Sequence, residues 1–188
     1  MDYIKILRLL FLLSLIYLTL SAVGTQLFDK SSDALVGSGE YLVGKDIPAG
    51  EYYVKCKGFN LYVEDAYDLS GNYNSIIYYV SSFGGSYVTV KEGEYLKIYG
   101  GELYELDKAP KDKREDGYYR DGMFKVGTDI PAGEYIVESS GTGYVEISQD
   151  SRHSMNGIVN YDYFEGNKYI FLQEGQYLTL RNDTKIKA

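Results

Sequence analysis

The chain is poor in several residue types, among them those that metal sites and disulfides need. Its 188 residues include one cysteine, one histidine, three prolines and no tryptophan. Because Cys56 is the only cysteine, no disulfide can form within the chain, and packing alone must stabilise its domains. One histidine and one cysteine are too few for a typical zinc site, and we predict no metal and no cofactor. Basic residues are also in deficit. A net charge of −8 argues against nucleic-acid binding, because phosphate backbones repel such a surface.

The first residues have the pattern of a secretory signal. Lys5 and Arg8 precede an apolar run over residues 9–23, and small residues stand at Ala22 and Gly24. This order is typical of a cleavable signal peptide, and the run is shorter than the roughly 20 residues that a spanning helix needs. We therefore predict a signal helix over 1–24 and a secreted or cell-surface protein. The alternative is an uncleaved signal anchor, in which this segment alone would contact a membrane. Export without disulfides fits a bacterial or archaeal protein better than an animal one.

The chain contains the same unit twice. Residues 44–52 read Gly-Lys-Asp-Ile-Pro-Ala-Gly-Glu-Tyr and return at 127–135, with Thr for Lys, 83 residues later. A second string, Glu-Gly-Glu-Tyr-Leu at 92–96, returns at 174–178 with Gln for the second Glu, 82 residues later. Repetition of this kind indicates a duplicated structural unit. The predicted organisation is a signal peptide at 1–24, a flexible lead at 25–38, repeat 1 at 39–106, a charged linker at 107–121 and repeat 2 at 122–188.

Apolar and polar residues alternate within each repeat, as in half-buried strands. The residues expected to face inward are Tyr52, Val54, Leu96 and Ile98 in repeat 1, and Tyr135, Val137, Leu178 and Leu180 in repeat 2. Their neighbours Lys97 and Thr179 are expected to face water. Short strands separated by glycine turns predict an all-β fold, with two tandem small β-sandwich or jelly-roll-like domains after an N-terminal signal helix. Each repeat is small for a stable core, so the repeats either fold separately or share apolar surface. The charged linker favours separate units.

The shared strings are predicted to be turns. In residues 47–50 proline suits the second position of a β-turn and glycine the fourth, while the preceding aspartate can accept hydrogen bonds from the turn backbone. The glycine of the second string is expected in a hairpin turn that joins a strand at 87–91 to one at 94–99. Folding alone explains these residues, so we assign them a structural role. They are Asp46, Pro48, Gly50 and Gly93 in repeat 1, and Asp129, Pro131, Gly133 and Gly175 in repeat 2.

These motifs also carry a family resemblance. The string Gly-x-Asp-Ile-Pro-Ala-Gly-Glu-Tyr, followed by Tyr-Val-Thr-Val-Lys-Glu-Gly-Glu-Tyr-Leu-Lys at 87–97, resembles a repeat domain of exported proteins and lipoproteins, mostly from Gram-positive bacteria. The resemblance covers 39–106 and 122–188 and implies an exported β-rich domain, without an established activity. This chain lacks the cysteine through which the lipoprotein members are attached to the membrane.

Few residues suggest catalysis. His153 lies in a polar stretch whose counterpart in repeat 1 has no histidine, and we expect a surface residue rather than a member of a Ser–His–Asp triad. Cys56 is expected on the inward face, where a free cysteine behaves as a small apolar residue. The acidic loops do not match the spacing of an EF-hand, and we expect them to be solvated. These loops contain Asp65, Asp68, Asn72, Asp150 and Asn156.

Tyrosine is in excess, with 22 residues. Tyrosine rings can stack on sugars and are common in binding surfaces, although tyrosine also often fills half-buried strand positions. The candidates for outward-facing rings are Tyr53, Tyr78, Tyr79, Tyr118 and Tyr119. We predict a non-enzymatic binding or structural module whose partner is a cell-wall polymer, a glycan or a surface protein. The alternative is a cell-wall-polymer hydrolase that uses acidic residues such as Glu64 and Asp65.

Overall fold

A computed structural model describes residues 33–111 and 116–187. The predicted signal helix and most of the predicted lead lie outside the described residues, as does part of the linker. The described residues belong to one compact unit. They form β-strands and two short 3₁₀ turns, which confirms the all-β fold class. Within 33–111 and 116–187, no helix is long and apolar enough to cross a membrane.

Repeat 1 is a sandwich of two antiparallel sheets. Its strands are β1 (Gly39–Leu42), β2 (Gly50–Cys56), β3 (Leu61–Ala66), β4 (Ile76–Ser82), β5 (Ser86–Val90), β6 (Tyr95–Tyr99) and β7 (Gly101–Glu105). A four-stranded sheet has the order β1-β6-β3-β4, and a three-stranded sheet has the order β5-β2-β7. A 3₁₀ turn at Tyr73–Ser75 precedes β4.

Repeat 2 has the same strand order along the chain, but two of its strands are long. Its strands are β8 (Tyr118–Tyr119), β9 (Gly122–Lys125), β10 (Gly133–Ser148), β11 (Ile158–Leu172), β12 (Tyr177–Arg181) and β13 (Lys185–Lys187), with a 3₁₀ turn at Met155–Gly157. They pair in the order β8-β13-β10-β12-β9, and β11 pairs with β10. Strand β10 corresponds to β2 and β3 joined, and β11 to β4 and β5 joined. The irregular stretch from Ser139 to Gly143 is one residue shorter than the break from Cys56 to Leu61, which explains why the shift between repeats falls from 83 to 82.

Each repeat has its own hydrophobic core. In repeat 1 the core contains side chains from both sheets, among them the fully buried Val54 and Leu96. The core of repeat 2 contains Val137 and Leu178 at the matching positions. Lys97 and Thr179 do not face water as expected: they are 8% and 3% exposed. Both lie on interior strands, β6 and β12, where cross-strand neighbours on the same face cover them.

The first shared string contains a tight turn that begins earlier than predicted. The turn comprises residues 44–46 rather than 47–50, and the Gly44 N–H donates to the Ile47 carbonyl oxygen over 2.7 Å. Gly44 has a φ of +94°, which favours glycine. The Asp46 carboxylate accepts a hydrogen bond from the Leu42 N–H at 2.9 Å, and Asp129 makes the same bond to the Lys125 N–H at 2.8 Å.

Proline and the second glycine of the string lie after the turn. Gly50 opens β2, and the Pro48 carbonyl accepts a hydrogen bond from the Tyr52 hydroxyl at 2.7 Å. In repeat 2, Gly133 opens β10, and the Pro131 carbonyl accepts from the Tyr135 hydroxyl at 2.8 Å. The string therefore anchors the start of a strand to the preceding turn.

The second shared string is not a hairpin turn, because the strands on either side of it do not pair with each other in either repeat. Gly93 and Gly175 have φ values of +82° and +81°, but the flanking strands β5 and β6 belong to different sheets. The two strings also contact each other, because the Gly93 N–H donates to the Val43 carbonyl at 3.0 Å and the Gly175 N–H to the Val126 carbonyl at 3.1 Å. The two strings thus recur together because they form one structural element in each repeat.

Two short segments belong to the repeats rather than to the predicted lead and linker. Val36 forms a bridge with Leu103, and β8 pairs with β13 through Tyr119 and Ile186. These pairings occupy equivalent places in the two repeats. They are too short to show alternation in the sequence, which is why the predicted boundaries missed them.

The charged linker does not keep the repeats apart. A third cluster of buried side chains joins Tyr87 of repeat 1 to Met123 and Tyr177 of repeat 2, with Tyr53 packed against it. Each repeat thus has its own core, and the two also share apolar surface. The charge of the linker shows that the linker itself is solvated, but it does not show whether the two repeats that it joins are in contact.

Candidate functional site

Three tyrosines form a group on the outer face of the four-stranded sheet of repeat 1. We call Tyr62, Tyr79 and Tyr99 tyrosine cluster 1. The Tyr62 ring centroid lies 6.3 Å from that of Tyr79 and 6.2 Å from that of Tyr99. Tyr79 and Tyr99 are 57% and 51% exposed. The rings lie on three neighbouring strands, because Tyr62 is on β3, Tyr79 on β4 and Tyr99 on β6.

A buried ion pair lies beneath this cluster. The Lys97 ammonium donates to Glu64 Oε1 at 2.7 Å, and the Tyr62 hydroxyl donates to Glu64 Oε2 at 2.6 Å. Burial alone would raise the pKa of Glu64, but the hydrogen bonds from Lys97 and Tyr62 outweigh burial and lower it. Burial and the bond to Glu64 raise the pKa of Tyr62 to about 12. Tyr62 therefore remains a hydroxyl donor and Glu64 a carboxylate at neutral pH.

Repeat 2 carries a tyrosine cluster at the matching place. We call Tyr144, Tyr161 and Tyr163 tyrosine cluster 2. The Tyr144 ring centroid is 4.9 Å from that of Tyr163 and 6.4 Å from that of Tyr161, and the Tyr144 hydroxyl donates to the Glu146 carboxylate. The Arg181 guanidinium lies 5.8 Å from the Tyr144 ring centroid, within cation–π range. Burial, with the bond to Glu146, raises the pKa of Tyr144 well above its usual range.

The two clusters share a core of three residues and differ around it. Tyr62 and Glu64 correspond to Tyr144 and Glu146, and each glutamate lies directly across from a tyrosine on the next strand, Tyr79 or Tyr161. The third ring and the basic group are at different positions in the two repeats. They are Tyr99 and Lys97 in repeat 1, and Tyr163 and Arg181 in repeat 2. The elements that recur in both repeats are therefore a Tyr–Glu hydrogen bond and an exposed tyrosine across the sheet from that glutamate.

The loop over residues 150–154 of repeat 2 forms an ionic contact with repeat 1. Arg152 donates two hydrogen bonds to the Glu94 carboxylate, at 2.7 and 2.9 Å, and one to Asp65 at 3.3 Å. It also donates to the Thr89 carbonyl at 3.0 Å. Burial and the nearby Glu94 carboxylate raise the pKa of Asp65 to about 8. Burial alone would raise the pKa of Glu94, but the bonds from Arg152 and from the Lys91 N–H lower it.

His153 lies between the repeats and is not the surface residue that the sequence predicted. Its Nε2 lies 2.8 Å from the Tyr87 carbonyl oxygen, and its ring centroid is 5.3 Å from that of Tyr78. Burial lowers the pKa of His153 to about 4. His153 has a φ of +51°, and the equivalent residue of repeat 1 is Gly71, with a φ of +71°. A side chain has thus replaced glycine where the loop meets repeat 1.

Only one of the five tyrosines expected to point outward is largely exposed. Tyr79 belongs to tyrosine cluster 1, whereas Tyr78 and Tyr119 are buried, at 5% and 3% exposure. Tyr53 and Tyr118 are half-buried. The other five cluster members were missed. Extending the shift of 82 beyond the two strings would have found the common core, because Tyr-Val-Glu at 62–64 returns at 144–146 and Tyr79 returns as Tyr161.

The other candidate residues do not come together. Glu64 pairs with Lys97 on the outer face of β3, while Asp65 contacts Arg152 on the other side. Cys56 is half-buried against the core of repeat 1. Asp68 and Asp150 each accept a hydrogen bond from a backbone N–H two residues later, in Ser70 and Arg152. In the described part of the chain, no group of three His, Cys, Asp or Glu side chains is placed to hold a metal ion.

The cavities at the repeat junction lie away from the clusters. Two of them, of about 370 and 590 Å³, are both lined by Tyr53 and Phe124 and by the linker residues Pro110 and Lys111. No member of either tyrosine cluster lines them. The clusters therefore present open sheet faces.

Comparison with known proteins assigns no family to this chain. No family model, no curated protein and no solved structure matches it. The comparison that informs the site is the internal one, between repeat 1 and repeat 2.

Proposed function

We propose that this protein is an exported, non-enzymatic binding module whose tyrosine clusters bind a cell-surface polysaccharide. The observation that supports this most is the recurrence of an exposed tyrosine beside a Tyr–Glu hydrogen bond on the same face of both repeats. Export is supported by the signal pattern of residues 1–24 and by the resemblance to exported repeat domains.

The chemistry of each cluster suits a sugar polymer. A tyrosine ring offers an apolar face that packs against the C–H groups of a sugar, and its hydroxyl offers a hydrogen bond at the edge. The neighbouring carboxylate is buried, and its hydrogen bond to the central tyrosine hydroxyl holds that ring in place. Tyr79 and Tyr99 are exposed enough to make both kinds of contact. An open face rather than a pocket also fits a long polymer better than a small molecule, which is usually enclosed.

Two clusters on one compact unit allow bivalent binding. When one cluster holds a polymer, the second meets another part of the same polymer at a high effective concentration. Each site alone can then be weak while the whole protein binds strongly. The two sites differ in charge, because Arg181 is partly exposed beside Tyr144 in repeat 2, whereas Lys97 in repeat 1 is 8% exposed and bonded to Glu64.

The test is a binding screen of isolated cell-wall and surface polysaccharides against residues 33–188, the compact unit. Affinity is then measured for Tyr79→Ala, Tyr161→Ala and the double variant. Loss of one stacked ring should weaken binding about tenfold, and the double variant should lose the gain from bivalency. Tyr73→Ala is the matched control, because Tyr73 is 79% exposed and lies outside both clusters. If no polysaccharide binds, or if the double variant binds as the wild type does, the proposal is wrong.

A further inference from the structure

The two repeats contact each other through different faces. Repeat 1 uses the outer face of its three-stranded sheet, and repeat 2 uses the outer face around β9 and β12 together with the loop that contains Ser151. We call the first the docking face and the second the receiving face. The docking face comprises Glu51, Tyr53, Tyr87 and Thr89, and the receiving face comprises Lys125, Asp129, Ser151 and Tyr177. Contact between unlike faces leaves one face of each kind uncovered, as in any head-to-tail arrangement.

Glu51 is the polar centre of this contact. Its carboxylate accepts hydrogen bonds from Lys125 at 2.7 Å, from Ser151 at 2.8 Å and from the Tyr177 hydroxyl. Burial would raise the pKa of Glu51, but these bonds outweigh burial and lower it. Thr89 adds a hydroxyl contact of 2.7 Å to Ser151.

Tyr87 is the aromatic centre. Its hydroxyl donates to Asp129 Oδ2 at 2.7 Å. Its ring packs edge-on against Tyr177, with the centroids 5.6 Å apart, and against Tyr53 at 5.2 Å. Tyr87 and Tyr177 are each only 5% exposed as a result.

Repeat 2 has a docking face of its own, and nothing in the described chain covers it. The residues equivalent to Glu51, Tyr53, Tyr87 and Thr89 are Glu134, Ile136, Tyr169 and Phe171, in the same cross-strand pairs. Ile136, Tyr169 and Phe171 are 42%, 79% and 58% exposed. Such a row of exposed apolar side chains on one sheet face is typical of an interaction surface.

Repeat 1 has the corresponding receiving face. The residues equivalent to Lys125, Asp129, Ser151 and Tyr177 are Leu42, Asp46, Leu69 and Tyr95. All four are at least partly exposed, and Leu69 is 46% exposed.

These two uncovered faces match each other at the positions that matter in the covered pair. Tyr169 stands where Tyr87 does, and it would meet Asp46 and Tyr95 in place of Asp129 and Tyr177. Where the covered contact has two hydroxyls, Thr89 and Ser151, the uncovered faces both have large apolar residues, Phe171 and Leu69. A polar pair is thus replaced by an apolar pair, and the change has occurred on both sides.

We infer that the occupant of the uncovered docking face is a second copy of this chain, whose repeat 1 contributes the receiving face. Each added copy leaves a new docking face uncovered, so association continues head to tail instead of stopping at a dimer. Contact between copies is weaker than contact within the chain, because Leu42 replaces Lys125 and Ser70 replaces Arg152. Glu134 also meets Leu42 where Glu51 meets Lys125, so the contact between copies depends on apolar side chains and should persist at high salt.

The experiment measures the mass of residues 33–188 by sedimentation equilibrium up to about 1 mM protein, at low and high salt. We expect a mean mass that rises with concentration beyond that of a dimer. Phe171→Glu removes the docking face of repeat 2, and Leu69→Glu removes the receiving face of repeat 1. Each variant alone should remain monomeric, whereas an equimolar mixture should form dimers and stop there, since each variant retains the face that the other lacks.

Phe59→Glu is the matched control, because Phe59 is 97% exposed and lies outside both faces. This variant should associate as the wild type does. Thermal unfolding of every variant should match that of the wild type, which excludes misfolding as the cause of a lower mean mass. If the wild type stays monomeric at every concentration, the inference is wrong, and a molecule other than a second copy covers the docking face of repeat 2. A mixture that fails to dimerise, or an effect of Phe171→Glu without one of Leu69→Glu, overturns it as well.

Discussion

Replacing Arg152 by alanine should destabilise the contact between the repeats strongly. Arg152 makes two charged hydrogen bonds to Glu94, a third to Asp65 and a fourth to the Thr89 carbonyl. Glu94 is 7% exposed and Asp65 is fully buried, so neither carboxyl group can recover these bonds from bulk water. The variant leaves two buried carboxyl groups without their cation.

The expected loss follows from the burial of the pair. Removal of one partner from a buried ion pair costs about 3–5 kcal/mol. Asp65 can remain protonated and donate to Glu94, which places the expected loss near the lower end, at about 3 kcal/mol. For a chain of this size, a loss of this kind lowers the melting temperature by about 6–12 °C.

Urea unfolding of residues 33–188 at pH 7 measures this loss, and Glu94→Gln is the matched control. The carboxylate of Glu94 accepts a hydrogen bond from the Lys91 N–H at 2.6 Å, and Gln176 makes the equivalent bond to the Gln173 N–H at 2.8 Å. Glutamine therefore preserves the turn and removes only the charge, and Asp65 can ionise to face Arg152. We expect Glu94→Gln to lose about 1–2 kcal/mol. If Arg152→Ala loses less than about 1 kcal/mol, or no more than Glu94→Gln does, this account of the contact is wrong.

Three further outcomes follow from the same structure. The pKa of Asp65 is raised to about 8, so the folded state holds a proton that the unfolded state releases above about pH 4. The free energy of unfolding therefore falls as pH rises toward 8. Urea unfolding of Asp65→Asn should show no such fall between pH 6 and pH 8. The pKa of His153 is lowered to about 4, so the unfolded state binds an extra proton below about pH 6.5 and the free energy of unfolding falls on acidification. His153→Gln should reduce that loss between pH 6.5 and pH 4, and an unchanged profile would contradict the packing of this side chain between the repeats. Gly127→Ala should cost about 2 kcal/mol, because Gly127 has a φ of +91° and an added Cβ would lie 1.9 Å from a Glu174 carboxylate oxygen; a variant with unchanged melting temperature would show that the turn tolerates a side chain.

Local patterns in the sequence were enough to predict the strands. Alternation over two residues marks which side chains share a sheet face, and Val54, Leu96 and Leu178 are fully buried as that pattern predicted. The two shared strings predicted the duplication, because the same turn chemistry recurs at one shift. Gly93 could be placed in a turn from its sequence alone, since turn preferences act over a few residues.

Features that depend on distant residues were missed. The strands on either side of Gly93 belong to different sheets, and no local rule separates such a connection from a hairpin. Lys97 alternates like a solvent-facing residue but pairs with Glu64, which lies 33 positions away. His153 lies in a polar loop by composition, yet it is largely covered because the loop packs on repeat 1.

The sequence by itself determined the all-β class, the duplication and the inward faces of the strands, because these depend on periodicity and on turn residues that act locally. Only the tertiary structure decided what covers each outward face. One docking face meets repeat 2 and the other is left exposed, although the two have nearly the same alternation. The tyrosine clusters likewise form only where neighbouring strands, three in repeat 1 and two in repeat 2, bring the outer rings within about 6 Å of the central ring. Alternation shows on which face a side chain lies, but its neighbours across the sheet depend on strand order and register, which long-range packing sets.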